Sequence, residues 1–328
     1  MTRPSSSLPA SLLTIAMSIV GSRAFLLPVA LHPPHPTAGG RDILAVMSSV
    51  ASTSPLHAAP ASNVHVLPTE NDVASAIHEI VERAATESIS ARGRFALAIP
   101  GGSVLKVLAD LEPSSDWPRY TTLAFVNHKC VPVDDASSAI EAQARTKFVN
   151  RWNVGRVISL DGTSDGAHES SRYEAKLRAL SEVELPRDVD GFPIFDLALI
   201  GVGDDGHIGS LYPNRDEIDV VDGPWVVPSY KKDPPGISLS LPVMQRAKYT
   251  VISAAGKSAK YPNGKAGAMR MAIMDENVMP SAFPAVALRE YAAWILDGPN
   301  GSELINAKMS TVEDAVTAVF EDEVARAV

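Results

Sequence analysis

From Asn63 onward, short apolar runs alternate with amphipathic stretches, and this alternation constrains the fold more than any other property of the chain. A short, wholly apolar run suits a strand covered on both faces, and apolar residues at helical spacing suit the helix that covers it. Repeated along the chain, the pattern predicts an α/β domain with a mostly parallel sheet and helices on both faces. "VHVLP" reads as a strand. "TENDVASAIHEIVERAATES" reads as a helix capped by Thr69, with Val73, Ile77, Ile80, Val81 and Ala84 on its buried face. "RFALAIPGGSVLKVLADL" is strand, glycine turn and helix. "TTLAFVNHKCVP", the helix "SAIEAQARTKFVNRW", the strand "RVISL", the helix "ESSRYEAKLRAL" and the strand "DLALIGVG" continue the pattern. "GISLSLPVMQRA", "YTVISAAG", the helix "KAGAMRMAIM" and a closing strand "AAWILDG" complete it. No internal repeat is evident, and no linker after Asn63 is long enough to force a second domain. Residues 63–328 are therefore expected to form one domain.

Residues 1–62 differ in composition. Ser, Pro, Ala and Leu abound, and Asp42 is the only acid before Glu70. "SLLTIAMSIVGSRAF" supplies an apolar core shorter than the ~20 residues a bilayer span needs, followed by small residues before Phe25. The segment is expected to be a signal-peptide-like start, cleaved near Ala24, with an acid-poor tail. It resembles the presequences of algal plastids reached through the secretory route, which implies the plastid stroma. The alternatives are a disordered extension of no consequence and a cytoplasmic location. No later segment is apolar and long enough to span a membrane, so no membrane association is expected after presequence removal.

With 45% hydrophobic and 20% charged residues the chain can bury a sizeable core. Its formal net charge of −9 argues against general nucleic-acid binding, which usually needs a basic stripe to displace counterions. A small anionic substrate remains compatible, since a few local cations hold one phosphate. The single cysteine, Cys130, excludes an internal disulfide framework and a multi-cysteine zinc site. Oligomeric state is not legible.

"DLALIGVGDDGHIGSLYPN", residues 196–214, places Gly201, Gly203 and Gly206 in the spacing G-x-G-x-x-G after an apolar run. A dinucleotide turn uses this spacing, with the pyrophosphate on a helix N-terminus. Here Asp204 and Asp205 would repel a pyrophosphate, Pro213 shortens any docking helix, and the motif lies late in the chain. In the other reading, the turn presents Asp205 and His207 at the carboxyl edge of a parallel sheet. A histidine there can take and return a proton, with the carboxylate fixing its orientation. The bare tripeptide also fits a turn in which Asp205 caps and His207 packs.

The wider stretch resembles the 6-phosphogluconolactonase family. Its hallmark G-x-G-x-D-G-H-x-x-S-L-F-P is met by Gly201, Gly203, Asp205, Gly206, His207, Ser210, Leu211 and Pro213, with Tyr212 in place of Phe. "AIPGGS", "CVPVDD", "ISLSLPVMQRA" and "AAWILDG" follow the family's order, so the resemblance covers nearly everything from Asn63 to the end. It implies a modified Rossmann-like sheet shared with sugar-phosphate isomerases, no metal or cofactor, and hydrolysis of a phosphorylated sugar lactone in the oxidative pentose phosphate pathway. By resemblance His207 is the general base and Asp205 its holder. Gly101, Gly102, Ser103, Lys129, Gly203, Gly206, Ser210 and Lys231 are the substrate and phosphate residues. Spacing alone reads "PGGS" equally as a tight turn. Cys130 is expected to be structural, since no covalent nucleophile is needed.

Three departures stand out. Asn127, His128 and Lys129 occupy the family's Asp-Glu-Arg, and lysine lacks the bidentate fork of arginine. Gly236 stands where a second arginine is common. The stretch "GKSAKYPNGKAGAM" is longer than usual and leaves Lys257 and Lys265 as rival matches. Two rival functions follow. Glucosamine-6-phosphate deaminases share the fold but need a carboxylate where Asn127 stands. A sugar-phosphate-binding module that has lost turnover would fit the missing arginines.

Overall fold

The chain enters the sheet through β1 (Val64–Leu67) and turns at once into α1 (Glu70–Arg92). Thr69 fixes that start: its side chain accepts from the Asp72 backbone N–H, and the Asp72 carboxylate accepts from the Thr69 N–H. Such a cap contributes about 1 kcal/mol. Val73, Ile77, Ile80, Val81 and Ala84 are all buried beneath it, the face that the helical spacing predicts. Each larger side chain among them stabilises by about 1.5–3 kcal/mol.

The strands that follow are β2 (Phe95–Ile99), β3 (Thr121–Phe125), β4 (Asn127–Lys129), β5 (Arg156–Val157), β6 (Leu197–Ile200), β7 (Val226–Ser229), β8 (Gly236–Leu239), β9 (Tyr249–Ala254) and β10 (Ala292–Asp297). Seven form one parallel sheet in the order β1-β10-β9-β6-β2-β3-β5. Successive side chains of a strand point to opposite faces, and β2 shows the result. Phe95, Leu97 and Ile99 join one core with α1, α2 (Ser103–Ala109) and the helix Val312–Arg326, while Ala96 and Ala98 join another with the helices Gly166–Arg178 and Ala266–Met274. β2 is buried along its whole length, which is why its sequence is apolar throughout instead of alternating.

The computed structural model describes residues 57–257, 261–262 and 264–326. The expected targeting segment up to residue 56, with its cleavage point at Ala24, lies outside them. Contacts to the domain begin before Asn63: the Ala59 N–H donates to Ile273 O, and the buried Arg289 donates to His57 O. No helix among the described residues is long and apolar enough to cross a membrane.

Three elements differ from the sequence expectation. "GISLS" does not extend the parallel sheet: β8 pairs antiparallel with β4 and β7 in a separate three-stranded sheet. "RVISL" contributes only the two-residue β5, because at the sheet edge it has a single neighbour. "AAWILDG" is the last strand but not the last element. Val312–Arg326 packs Ala315, Val316, Val319 and Phe320 into the α1 side of the core.

Candidate active site

β2 and β6 lie side by side, yet the chain runs from β2 outward to β3 and β5, and from β6 outward to β9 and β10. The connections leaving the two strands therefore diverge and open a crevice at their carboxyl ends, where ligands of open α/β sheets bind. The crevice has a volume of about 630 Å³, suited to a small molecule. Pro100–Gly101–Gly102–Ser103 after β2 and the glycine loop after β6 line it, and residues of β4 and of the β7–β8 connection complete the wall.

The glycine loop folds back on itself. The Gly203 N–H donates to His207 O at 2.8 Å and the Gly206 N–H to Gly203 O at 3.1 Å, while Val202 and Ile208 form an isolated bridge. This brings Asp205 and His207 together, with Nδ1 of His207 2.5 Å from Asp205 Oδ1. The His207 backbone N–H donates to the same oxygen at 3.2 Å. With the Nδ1 proton donated to the carboxylate, Nε2 is the free acceptor, and it has no protein partner among the described residues. Desolvation opposes ionisation of Asp205, but the hydrogen bonds from the His207 ring and backbone, with the imidazole charge, outweigh it and hold the carboxyl below its ordinary range.

Two glycines are dictated by this geometry. A Cβ on Gly203 would lie 2.0 Å from His207 Nδ1 and 2.7 Å from Asp205 Oδ1, so only glycine lets the imidazole lie against the backbone here. Gly206 has φ +81°, and a Cβ there would strike the Phe283 ring at 2.4 Å. Gly206 shapes the loop from below and does not line the crevice, contrary to the expectation that it binds substrate. Gly101, Gly102, Ser103, Lys129, Gly203, Asp205, His207, Ser210 and Lys231 do line it. The next helical element after the loop is the single 3-10 turn Asp216–Asp219. The glycine turn does not run on into an α-helix as the dinucleotide fingerprint requires, which removes the basis of that reading.

Although the chain is acidic overall, Lys129, Lys231, Lys232 and Lys265 converge on this one crevice. Such focusing favours an anionic ligand. Lys232 was not singled out by the sequence pattern. Lys265, not Lys257, lines the crevice; its Nζ donates to Val202 O at 2.5 Å, tying it to the loop that carries His207. Asn127 lines the crevice as well, its amide 3.3 Å from Ser210 Oγ. A Cβ at Gly236 would stand 2.9 Å from His128 O, so the backbone at the missing arginine lies tight against β4.

His128 takes no part in the crevice. It is buried, with Nδ1 2.7 Å from Lys129 O and Nε2 accepting from the Glu141 N–H at 3.0 Å, and both ring nitrogens are thereby satisfied by a neutral imidazole. Burial pushes its pKa down, partly offset by the bond to Lys129 O. Cys130 is buried too, and desolvation pushes its thiol up to about 12, which leaves it without a reactive thiolate.

Residues 68–294 match the family model described as glucosamine-6-phosphate isomerases/6-phosphogluconolactonase. The chain is 30% identical over 256 residues to the 6-phosphogluconolactonase of Homo sapiens, covering 73% of this chain and 93% of that one. It is 28% identical over 258 residues to a "Probable 6-phosphogluconolactonase 4, chloroplastic" of Oryza sativa subsp. japonica, covering 74% and 77%. Among solved structures, the 6-phosphogluconolactonase from Leishmania guyanensis superposes with a TM-score of 0.60 at 20% identity, covering 74% of this chain and 98% of that one.

Proposed function

The chain belongs to the family of glucosamine-6-phosphate isomerases and 6-phosphogluconolactonases, and from that membership we propose that it is a 6-phosphogluconolactonase. It hydrolyses 6-phospho-D-glucono-1,5-lactone to 6-phosphogluconate in the pentose phosphate pathway. The observation that carries the reading is the Asp205–His207 pair, with Nε2 open, in a crevice lined by lysines.

The δ-lactone is an activated cyclic ester, so the enzyme has to deliver water and manage protons. Nε2 of His207 takes a proton from water as the water oxygen bonds to the lactone carbonyl carbon. The carbonyl oxygen becomes an oxyanion, stabilised by positioned donors and cations of the crevice. Collapse breaks the bond to the ring oxygen, which receives the proton back from His207. Asp205 holds the imidazole in one tautomer throughout and stabilises its charged form. Gly101, Gly102, Ser103, Lys129 and Lys231 hold the phosphate, in keeping with the resemblance and with their place around one crevice. Asn127 argues against the deaminase reading, since an amide cannot act as the base that reaction needs.

We read residues 1–62 as a presequence that directs the enzyme to the plastid. Their acid-poor composition and the chloroplastic naming of the rice relative support this. A fluorescent protein fused behind these residues should then colocalise with plastid pigment, and a diffuse cytoplasmic signal would overturn it.

The test of activity is the loss of freshly generated 6-phosphogluconolactone, corrected for spontaneous hydrolysis. Rapid loss by the native chain that falls about 10²- to 10⁴-fold in His207→Ala is expected. Loss no faster than the blank, from folded protein that still binds 6-phosphogluconate, would replace the enzyme with the binding module.

A further inference from the structure

The arrangement around His207 continues past the imidazole. Its ring lies against that of Tyr212, with centroids 4.7 Å apart and planes inclined by 32°. The ammonium of Lys232 stands 5.1 Å from the centre of the same tyrosine ring. Both residues line the crevice. Tyr212 is 7% exposed, so the surface that Lys232 meets is a ring fixed by its surroundings. Lys232 makes no ion pair among the described residues, whereas many other cations of the chain are matched to carboxylates.

Lys231 and Lys232 belong to the connection between β7 and β8, which ends at Gly236. Gly236 pairs with Lys129 across the small sheet and offers no side chain to the crevice it borders. Of Lys231, Lys232 and Asp233, only the two lysines line the crevice. The connection therefore turns positive charge inward and keeps its carboxylate out. A lysine ordinarily loses much rotamer freedom when it grips a ligand; an ammonium drawn to an aromatic face has part of that freedom removed beforehand.

We infer that Lys232, held over the Tyr212 ring, is a substrate-binding residue for the phosphoryl group of the lactone. It supplies from the β7–β8 connection the positive charge that Gly236 does not. The inference rests on the lactonase reading above. Lys232 acts on binding: it grips the phosphoryl oxygens and leaves the proton transfers to His207. Tyr212 has two duties, packing the imidazole and positioning the ammonium.

The experiment compares the native full chain with Lys232→Ala, Lys232→Arg, Tyr212→Leu and the double variant Lys232→Ala/Tyr212→Leu. Each is supplied with 6-phosphogluconolactone and, separately, with unphosphorylated glucono-1,5-lactone. Losing one charge-assisted contact to phosphate corresponds to about a 10- to 100-fold rise in KM. Lys232→Ala should show that rise with the loss falling on KM rather than kcat, and the preference for the phosphorylated lactone should narrow by the same factor. Lys232→Arg should restore most of it. Tyr212→Leu should raise KM by loosening the ammonium and lower kcat by loosening the imidazole. The double variant should raise KM no further than Lys232→Ala alone, because both changes act on one contact; KM effects that multiply would overturn the coupling. Unchanged KM in Lys232→Ala, or equal losses on both lactones, would overturn the assignment. If the native chain turns over neither lactone, the lactonase reading fails; calorimetric titration with 6-phosphogluconate then tests Lys232 separately. Binding weakened 10- to 100-fold in Lys232→Ala, on the same estimate, supports its role as a phosphate ligand, and unchanged or absent binding removes it.

Discussion

Replacing Gly203 by alanine should disable the active site while leaving the fold intact. The added Cβ would fall 2.0 Å from His207 Nδ1, 2.2 Å from Cε1 and 2.7 Å from Asp205 Oδ1. Ordinary contact begins at 3.4 Å, so the imidazole must retreat by about 1.4 Å. A retreat of that size breaks the 2.5 Å bond between Nδ1 and Asp205. It also moves Nε2 away from any water positioned for attack, and a displacement of about 1 Å from reactive geometry can reduce rate about 10²-fold. Complete loss of the base would cost about 10²- to 10⁴-fold. Gly203→Ala is therefore expected to lower kcat about 10²- to 10³-fold, between those limits. Gly203 does not have a left-handed φ, so alanine suits its backbone and the melting temperature should change by only a few degrees. Steady-state lactone hydrolysis and thermal denaturation, measured on the same preparation, check both halves. Adding Gly203→Ala to His207→Ala should cause little further loss, because both act on one group. Gly203→Ala with kcat within about threefold of native would refute the argument that the imidazole needs this glycine, given the steric clash involved.

Asp205→Asn removes the acceptor that fixes the tautomer of His207, and should lower kcat about 10²- to 10⁴-fold with little change in KM. Because the folded-state pKa of Asp205 is depressed, its native contribution is present above the ordinary carboxylate value and is lost as pH falls through the lowered one. The acid side of a stability–pH profile, followed by urea titration, should show this loss in the native protein and not in the variant. Asp161 is held at about 2, first by the hydrogen bond from Lys176 and then by Arg172 and His168, against some desolvation. Its stabilisation is complete above the ordinary 3.8 and disappears as pH falls through about 2, so Asp161→Asn should flatten acid denaturation across that window. Arg289, buried, donates to Ala272 O, Met271 O, Asp275 O and His57 O, closing the end of the helix Ala266–Met274. Arg289→Ala leaves the buried Ala272 carbonyl and three part-buried ones without this donor, and should destabilise by about 2–4 kcal/mol in urea titration.

Where chemistry is written in adjacent residues, the site was legible before any coordinates. Gly203, Asp205, Gly206 and His207 lie within one short loop; the tight turn follows from local geometry, and the held imidazole is what the resemblance implied. The covered faces of α1 and β2 were legible for a similar reason, since burial on one side or both leaves a periodic trace in the sequence. Lys232 left no such trace. A lysine in a polar connection reads as a solvated side chain until something shows what faces it, and Tyr212 lies twenty residues back in the chain. Likewise, nothing local distinguishes His128 from Lys129 as the residue facing substrate. Strand pairing turns alternate side chains to opposite faces, so His128 goes into the core and Lys129 faces the crevice.

The sequence by itself determined most of the elements and the class of sheet, because each depends on residues close together along the chain, and it placed Asp205 and His207 in one loop. Tertiary structure decided the strand order and hence where the crevice opens between β2 and β6. It also decided that β4 and β8 leave the main sheet to form a wall, that Lys265 rather than Lys257 reaches the site, and that Gly206 supports the loop without lining it. Those outcomes rest on packing and pairing between segments far apart in the chain, and their competing arrangements differ only in contacts that exist once the whole domain has closed.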